Sequence, residues 1–307
     1  MTLQRLAIQG NPGSYAHVAA QQLEPAATIL FYPNFAAAMA AVEAGAAEAA
    51  VLPIENSSMG RVADIHPLLP ATTLKIVAEH YLPVRHCLLA LPGVTLAELK
   101  TAHSQLPALL QCQKTLKTLG LEPIPTADTA LAAKELSARG DRSAAAVASR
   151  LAGELYGLAV LQEPLNDHAH NTTRFVVFAP QPRLPAATMA CKTSLLFRVR
   201  DQAGALYQAL AGFAAAEVNL TKLESYIDTT EGRFALAEFY VEIEGHPEHP
   251  AVAAALQHLA QATQWVRLMG TYPQAIAPTA GKMPVPPLRT PLPRPISPPE
   301  TDALTSQ

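Results

Sequence analysis

The segment "HNTTRFVVF" at residues 170–178 sets Asn171, Thr172, Thr173 and Arg174 against the start of an apolar run that reads as a buried strand. An amide, two hydroxyls and a guanidinium are unusual company for such a strand. Three further stretches have the same character. "VLPIENSSMGRV" places Glu55, Asn56, Ser57 and Ser58 after a buried strand, with Gly60 free to turn the chain. "GNPGSYAH" runs from a strand through Gly10, Asn11, Pro12, Gly13 and Ser14 into a helix, where backbone N–H groups can hold a carboxylate. "AHSQLPALLQC" offers Ser104 and, seven residues on, Gln111, a spacing of two helical turns that can put both on one face. His86 opens one more apolar strand. Each has a structural alternative: helix caps for the Ser and Asn residues, a plain turn for the Gly-rich loop, an exposed Gln111, a core His86. Taken together, amides, hydroxyls, one Arg, one His and one carboxylate at strand ends suit a small, anionic, oxygen-rich ligand. The chain contains no Walker sequence, HExxH, GxSxG or Cys/His metal set.

The elements that must position these residues read as α/β. Strands are expected at 3–8, 49–54, in "LKIVAEHYL" and "VRHCLLAL", and at 121–126, 143–147, 158–162 and 173–179. Helices are expected at 15–23 (capped by Ser14 or Gly13), 35–45, 105–119, 128–139 and 148–155. Such alternation implies a mainly parallel sheet covered on both faces, and ligands collect beyond the carboxyl ends of its strands. A Pro-rich linker at 181–190 ends this region, and residues 191–273 then read βαββαβ, a compact α+β sandwich with a hairpin across "DTTEG". From 274 to 307 proline density and the lack of apolar periodicity predict a disordered tail, with nine prolines between Pro278 and Pro299.

Half of the 307 residues are hydrophobic and 15% charged, enough for two domains with their own cores. A net charge of -3 gives no footprint for nucleic acid or anionic membranes. No signal peptide or membrane-spanning run is read, and Cys87, Cys112 and Cys191 are scattered, so a reduced, cytoplasmic protein is expected.

The ordered set "GNPGSYAH", "VLPIENSSMGRV", "RHCLL", the Ser104–Cys112 segment and "NTTRFVVF" resembles the prephenate dehydratases. The module "GALYQAL" through "NLTKLESY" to "VRLMGTYP" is similar to the ACT regulatory domain those enzymes carry. The resemblance covers about residues 3–273, and, with no chorismate mutase segment before it, points to the monofunctional form. It implies a two-lobed catalytic domain over 1–180, like a type-2 periplasmic binding protein, with one lobe at about 1–80 plus 165–180 and the other at about 81–164. It also implies a ferredoxin-like ACT domain over 191–273. The implied reaction converts prephenate to phenylpyruvate without metal or cofactor. Thr173, Glu55, Asn56, His86, Ser104 and Gln111 match the family's catalytic set, with Thr173 the donor to the departing hydroxyl and Glu55 or His86 the proton source. Ser14, Asn11, Ser57, Thr172, Arg174 and Phe175 are the expected substrate contacts, Arg174 either pairing with a substrate carboxylate or bracing the loop.

L-Phenylalanine is the implied effector, bound between ACT modules of a dimer or tetramer by Gly204, Ala205, Leu206, Asn219, Leu220, Glu224 and Ser225. The chain departs from the common Glu-Ser-Arg-Pro at Tyr226 and Ile227. Arogenate dehydratase, the same chemistry on the aminated substrate, is the alternative reading, and a non-catalytic amino-acid sensor is the reading from another class.

Overall fold

The computed structural model of the chain describes residues 3–227 and 237–276. The tail from 277 and the "DTTEG" turn lie outside the described residues. In chain order the first part comprises β1 (Arg5–Gln9), α1 (Tyr15–Leu23), β2 (Thr28–Tyr32), α2 (Phe35–Glu43), β3 (Ala49–Asn56), β4 (Gly60–Arg61), a 3-10 turn (Ala63–Leu68) and β5 (Lys75–Pro83). The second comprises β6 (Cys87–Ala90), a 3-10 turn (Leu96–Glu98), β7 (Thr101–Gln105), α3 (Leu106–Gln111), α4 (Gln113–Thr118), β8 (Glu122–Thr126), α5 (Thr129–Arg139), β9 (Ala144–Ala148), α6 (Arg150–Tyr156) and β10 (Ala159–Gln162). The chain then returns as β11 (Thr172–Ala179) to the first sheet, whose order is β2-β1-β3-β11-β5 with β4 on β3. The second sheet runs β10-β6-β9-β7-β8.

Both sheets are mixed rather than mainly parallel: β11 is antiparallel to β3 and β5, and β6 is antiparallel to β9 and β10. Ser14 caps α1 as expected. Ser14, Asn34, Asp128 and Ser149 each cap a helix by accepting a backbone N–H. The helix expected over 105–119 is divided at Cys112 into α3 and α4, and Ser104 belongs to β7, off the helix that carries Gln111. The two lobes touch through the Gly10–Ser14 loop. Gly13 has φ +89° and sits so near α6 that a Cβ would stand 2.7 Å from the Ala152 Cα, while the Ser149 hydroxyl donates to the Gly13 carbonyl at 2.5 Å.

Residues 180–190 run largely exposed into β12 (Cys191–Val199), α7 (Ala205–Ala215), β13 (Leu220–Ile227), β14 (Ala237–Glu244), α8 (Pro250–Ala262) and β15 (Thr263–Pro273). These form an antiparallel sheet in the order β13-β14-β12-β15. One face carries α7 and α8 over Leu195, Phe197, Phe239, Val241 and Ile243. The other packs Leu196, Tyr240, Met269 and Tyr272 into the core of the first lobe, against Leu52, Ile76 and Phe178. The module therefore shares a core with the first lobe, which explains why β12 is buried along both faces instead of alternating. Among the described residues no helix is long and apolar enough to cross a membrane.

Module and lobe approach tightly at Gly270, where a Cβ would stand 2.0 Å from the Ile76 carbonyl oxygen. Gly270→Ala is expected to force β15 off β5 and destabilise the chain by about 1–3 kcal/mol, as overpacking of a tight contact does. Thermal or urea unfolding of the purified variant checks this, and an unchanged midpoint would contradict the contact.

Candidate active site

The site is built by a strand alternation and one bulge. Consecutive residues of β11 point to opposite faces of the sheet. Thr173 and Phe175 turn towards the cleft between the lobes, and Arg174 turns towards the C-terminal module. On β3 the register with β11 shifts between Arg174 and Phe175, so that Thr173 faces Asn56, Arg174 faces Glu55 and Phe175 faces Pro53. Ile54 is the extra residue. Pro53 and Asn56 are an odd number of residues apart and would otherwise lie on opposite faces, but the bulge lets both line the cleft.

The cleft has a volume of about 300 Å³. Ser14, Tyr15, Asn56, His86, Gln111, Asp128, Thr129, Thr173 and Phe175 are among its lining residues. A chain of hydrogen bonds runs through it. The Tyr15 hydroxyl meets His86 Nδ1 at 2.8 Å, and His86 Nε2 meets Gln111 Oε1 at 2.8 Å. Asn171 Nδ2 donates to the same Gln111 oxygen at 2.9 Å. Asn56 Nδ2 donates both to Asn171 Oδ1 at 2.8 Å and to Thr173 Oγ1 at 2.9 Å. Asn56 Oδ1 meanwhile accepts the backbone N–H groups of Ser58 and Met59, which fixes which end of the amide faces Thr173. Gln111 Oε1 can only accept, so Nε2 of His86 carries the proton and Nδ1 is an acceptor. Burial holds the His86 pKa below its ordinary value against the opposing hydrogen bond from Gln111, which keeps the ring neutral. Because Thr173 Oγ1 accepts from Asn56, its own hydroxyl proton is left for a ligand.

The other face of β11 holds a buried charge cluster. Arg174 is 2% exposed and donates from Nε to Glu79 at 2.6 Å, from Nη1 to Glu242 at 2.6 Å and to Glu55 at 2.8 Å, and from Nη2 to the Tyr272 hydroxyl at 3.1 Å. Lys192 adds a bond to Glu79 at 3.1 Å, and Lys222 one to Glu55 at 2.7 Å. The Tyr240 hydroxyl completes Glu242 at 2.6 Å. Three cations thus face three carboxylates, and Glu242, Lys192, Lys222, Tyr240 and Tyr272 come from the module. Desolvation pushes the Glu55 carboxyl up, but hydrogen bonds from Lys222 and Arg174 outweigh it and hold the pKa below the usual carboxylate range. Arg174 is itself raised, the pull of Glu242 and the other partners exceeding the cost of burial.

Several residues read from the sequence as substrate contacts or catalysts are therefore used elsewhere. Arg174 braces the sheet and faces away from the cleft. Glu55 is ionised and ion-paired, which removes it as a ready proton source, and neutral His86 is no better as an acid. Ser104 is fully buried and donates to the Val147 carbonyl at 2.5 Å. Ser57 accepts the Thr172 N–H at 2.9 Å, so that pair closes the loop beside the site. Asn11 supplies its carbonyl to the Ser14 N–H. Tyr15 and Asp128 line the cleft without having been singled out for it, and Asn171 joins Asn56 to Gln111. Asn171 stood in the quoted motif, but nothing in the sequence tells its 5% exposure and its two amide partners apart from a loop residue.

Of the residues expected at an effector site, Gly204 opens α7 with φ +78°, where a left-handed backbone favours glycine. Ala205 packs into the module core and Leu220 at its margin. Leu206 packs at its margin, Asn219 donates to Glu244, and Ser225 is exposed on β13. Glu224 pairs with Arg61 of the first lobe at 3.5 Å. Tyr226, one of the two departures from the common pattern, places its hydroxyl 2.5 Å from His66 Nδ1. Burial, more than the neighbouring Lys222, lowers His66 to about 4.

Arg174→Met should lower stability by about 3–5 kcal/mol, because Glu242 and Glu79 would be left buried without their common partner. Substitutions of cleft residues carry no such cost, so the contrast between Arg174→Met and Thr173→Ala in denaturant unfolding checks the two-faced assignment.

The family model for prephenate dehydratase matches residues 6–183. A bifunctional N-acyl-homoserine lactone acylase/prephenate dehydratase of Komagataeibacter europaeus is 45% identical over 269 residues, covering 87% of this chain and 95% of the relative. An arogenate dehydratase/prephenate dehydratase of Arabidopsis thaliana is 36% identical over 281 residues, covering 88% of this chain and 72% of its own. The crystal structure of a prephenate dehydratase from Arthrobacter aurescens in complex with L-Phe superposes with a TM-score of 0.81 at 29% identity, covering 89% of this chain and 93% of that one. The chain belongs to the prephenate dehydratase family.

Proposed function

We propose that residues 1–180 catalyse the decarboxylating dehydration of prephenate and that residues 191–273 are an ACT module through which L-phenylalanine inhibits it. One observation carries the catalytic reading: Asn56 donates to Thr173 Oγ1 inside a small-molecule cleft, which leaves the threonine hydroxyl aimed as a donor. The substrate dianion loses its ring carboxylate as carbon dioxide while the electron pair of that bond enters the ring and the ring hydroxyl leaves. One proton, taken from solvent, converts the departing hydroxide to water, and phenylpyruvate remains with one negative charge. Aromatisation drives the step, but hydroxide is a poor leaving group, so a hydrogen bond that strengthens as charge builds on that oxygen lowers the barrier. Thr173 supplies it. Asn56 polarises and orients Thr173, and Asn171, Gln111 and neutral His86 hold Asn56 in place. The reading takes up the part of the Komagataeibacter relative's name that the family model and the plant relatives share.

The regulatory reading rests on the module's shared core and charges with the first lobe. Lys222 on β13 grips Glu55, next in the chain to Asn56, and Glu242 on β14 grips Arg174, next to Thr173. The exposed Ser225 on an edge strand and the open turn at Gly204 leave a surface for a second copy, so the effector would sit between modules of a dimer or tetramer. An effector acts only by binding two states unequally, and these two pairs are the route by which a shift of the module reaches Thr173.

Purified chain should form phenylpyruvate from prephenate, and added L-phenylalanine should reduce the rate. Thr173→Ala should lower turnover by roughly 100- to 1000-fold, the usual cost of losing one positioned transition-state donor. Its melting temperature should be unchanged, and Thr173→Ser should regain much of the activity. Near-normal turnover in folded Thr173→Ala would refute the mechanism.

A further inference from the structure

The cleft's charge favours a substrate that carries a cationic group over one that is doubly negative. Its described lining holds no Lys or Arg, and with His86 neutral its one formal charge is the carboxylate of Asp128. The second lobe supplies this residue at the N-terminus of α5, directly across from the Gly10–Ser14 loop of the first. The fold engages only one of its oxygens, since Oδ1 accepts the Leu131 N–H at 2.8 Å as the ordinary cap of α5. Oδ2 lies beside Gly10, whose φ of +107° favours a residue without a side chain and so leaves a small space there. A Cβ at Gly10 would stand 3.5 Å from Asp128 Oδ2 and 3.4 Å from Ser14 Oγ, so an alanine there would fill the space between them. Ser14 Oγ accepts the His17 N–H at 3.3 Å and retains capacity for a further donor. The notch is therefore small, lies between the lobes and is walled by acceptors, one of them charged. Acceptors so placed are the partners an ammonium group needs.

Resting on the dehydratase reading above, we propose that Asp128 is a specificity-determining residue that binds the α-ammonium of the aminated substrate, arogenate, in the notch formed with Ser14 over Gly10. Prephenate ends in an α-keto acid and brings two negative charges and no donor at the keto carbon, so Asp128 repels it. Arogenate carries the same ring with an ammonium at that carbon. It offers three N–H donors to the notch, and its positive charge offsets the carboxylate. Two binding lobes that close on a ligand would bring Asp128 and Ser14 together around that group, which makes lobe closure itself sensitive to the amino substituent. The ring hydroxyl end remains with Thr173, so the chemistry is unchanged and only recognition differs.

The test compares kcat/KM for arogenate and for prephenate on the purified full chain and on Asp128→Asn. Asparagine keeps the side-chain oxygen that caps α5 and removes the charge. The expected result is a fall of about tenfold or more in the arogenate-to-prephenate ratio, as loss of a charged partner for a bound cation produces, with prephenate turnover rising. Asp128→Ser, a second residue that caps helices well, should shift the ratio in the same direction. If both variants lower the two substrates' kcat/KM equally, or leave the ratio unchanged, Asp128 is a helix cap alone and the proposal is wrong. If the unaltered chain turns over neither substrate, the dehydratase reading fails and this inference falls with it. The two failures are thus told apart by the wild-type rates.

Discussion

The structure turns on the buried guanidinium of Arg174. It lies one residue from Thr173 on a strand whose alternation sends the two side chains to opposite faces of one sheet. On one face is the cleft, and on the other are three carboxylates, two of them fully buried. A charge removed from water so completely persists only because each of its three nitrogens has a partner. The matching fixes β11 against β3 and β5 and fixes the module against both. The bulge at Ile54 adds the second condition, since without it Asn56 would face the module and Thr173 would lose its partner.

Such a cluster contributes position more than stability. An equally packed apolar core would hold the module at least as firmly, whereas charges with directional partners tolerate little sliding. That property suits the proposed chemistry, which rests on hydroxyl and amide groups. On the proposed mechanism, with His86 neutral and Glu55 ionised, the rate depends on where Thr173 and Asn56 stand, and a misplacement of about 1 Å can cost on the order of 100-fold. The same dependence makes the site controllable from a distance, because the groups that set its geometry belong partly to the module.

The sequence reading located most of the strands and helices, because their apolar periodicity and caps are local signals. It did not indicate the module's second buried face. In "AEFYVEIE" the alternation of Phe239, Val241 and Ile243 with Glu238, Tyr240, Glu242 and Glu244 is that of a half-exposed strand, so Glu242 and Lys192 read as solvated charges. Their burial depends on partners far away in the chain. Motif resemblance brought Glu55, Arg174 and Ser104 forward as site residues, but it cannot report which face of a strand a residue takes, and a bulge reverses that choice. Asp128 reads in the sequence only as the first residue of a helix over 128–139 and proves to be its cap; its second oxygen acquires meaning only from a loop in the other lobe.

If the module's charges set the geometry of the reacting groups, a change at Glu242 should reach the chemistry without touching the substrate. The decisive measurement is kcat and KM for phenylpyruvate formation by Glu242→Gln, which keeps a hydrogen-bond acceptor for Arg174 and removes the charge. The account predicts that kcat falls by about tenfold or more while KM changes little and the chain remains folded by circular dichroism. An unchanged kcat in a folded but less stable protein would show that the cluster only holds the module in place.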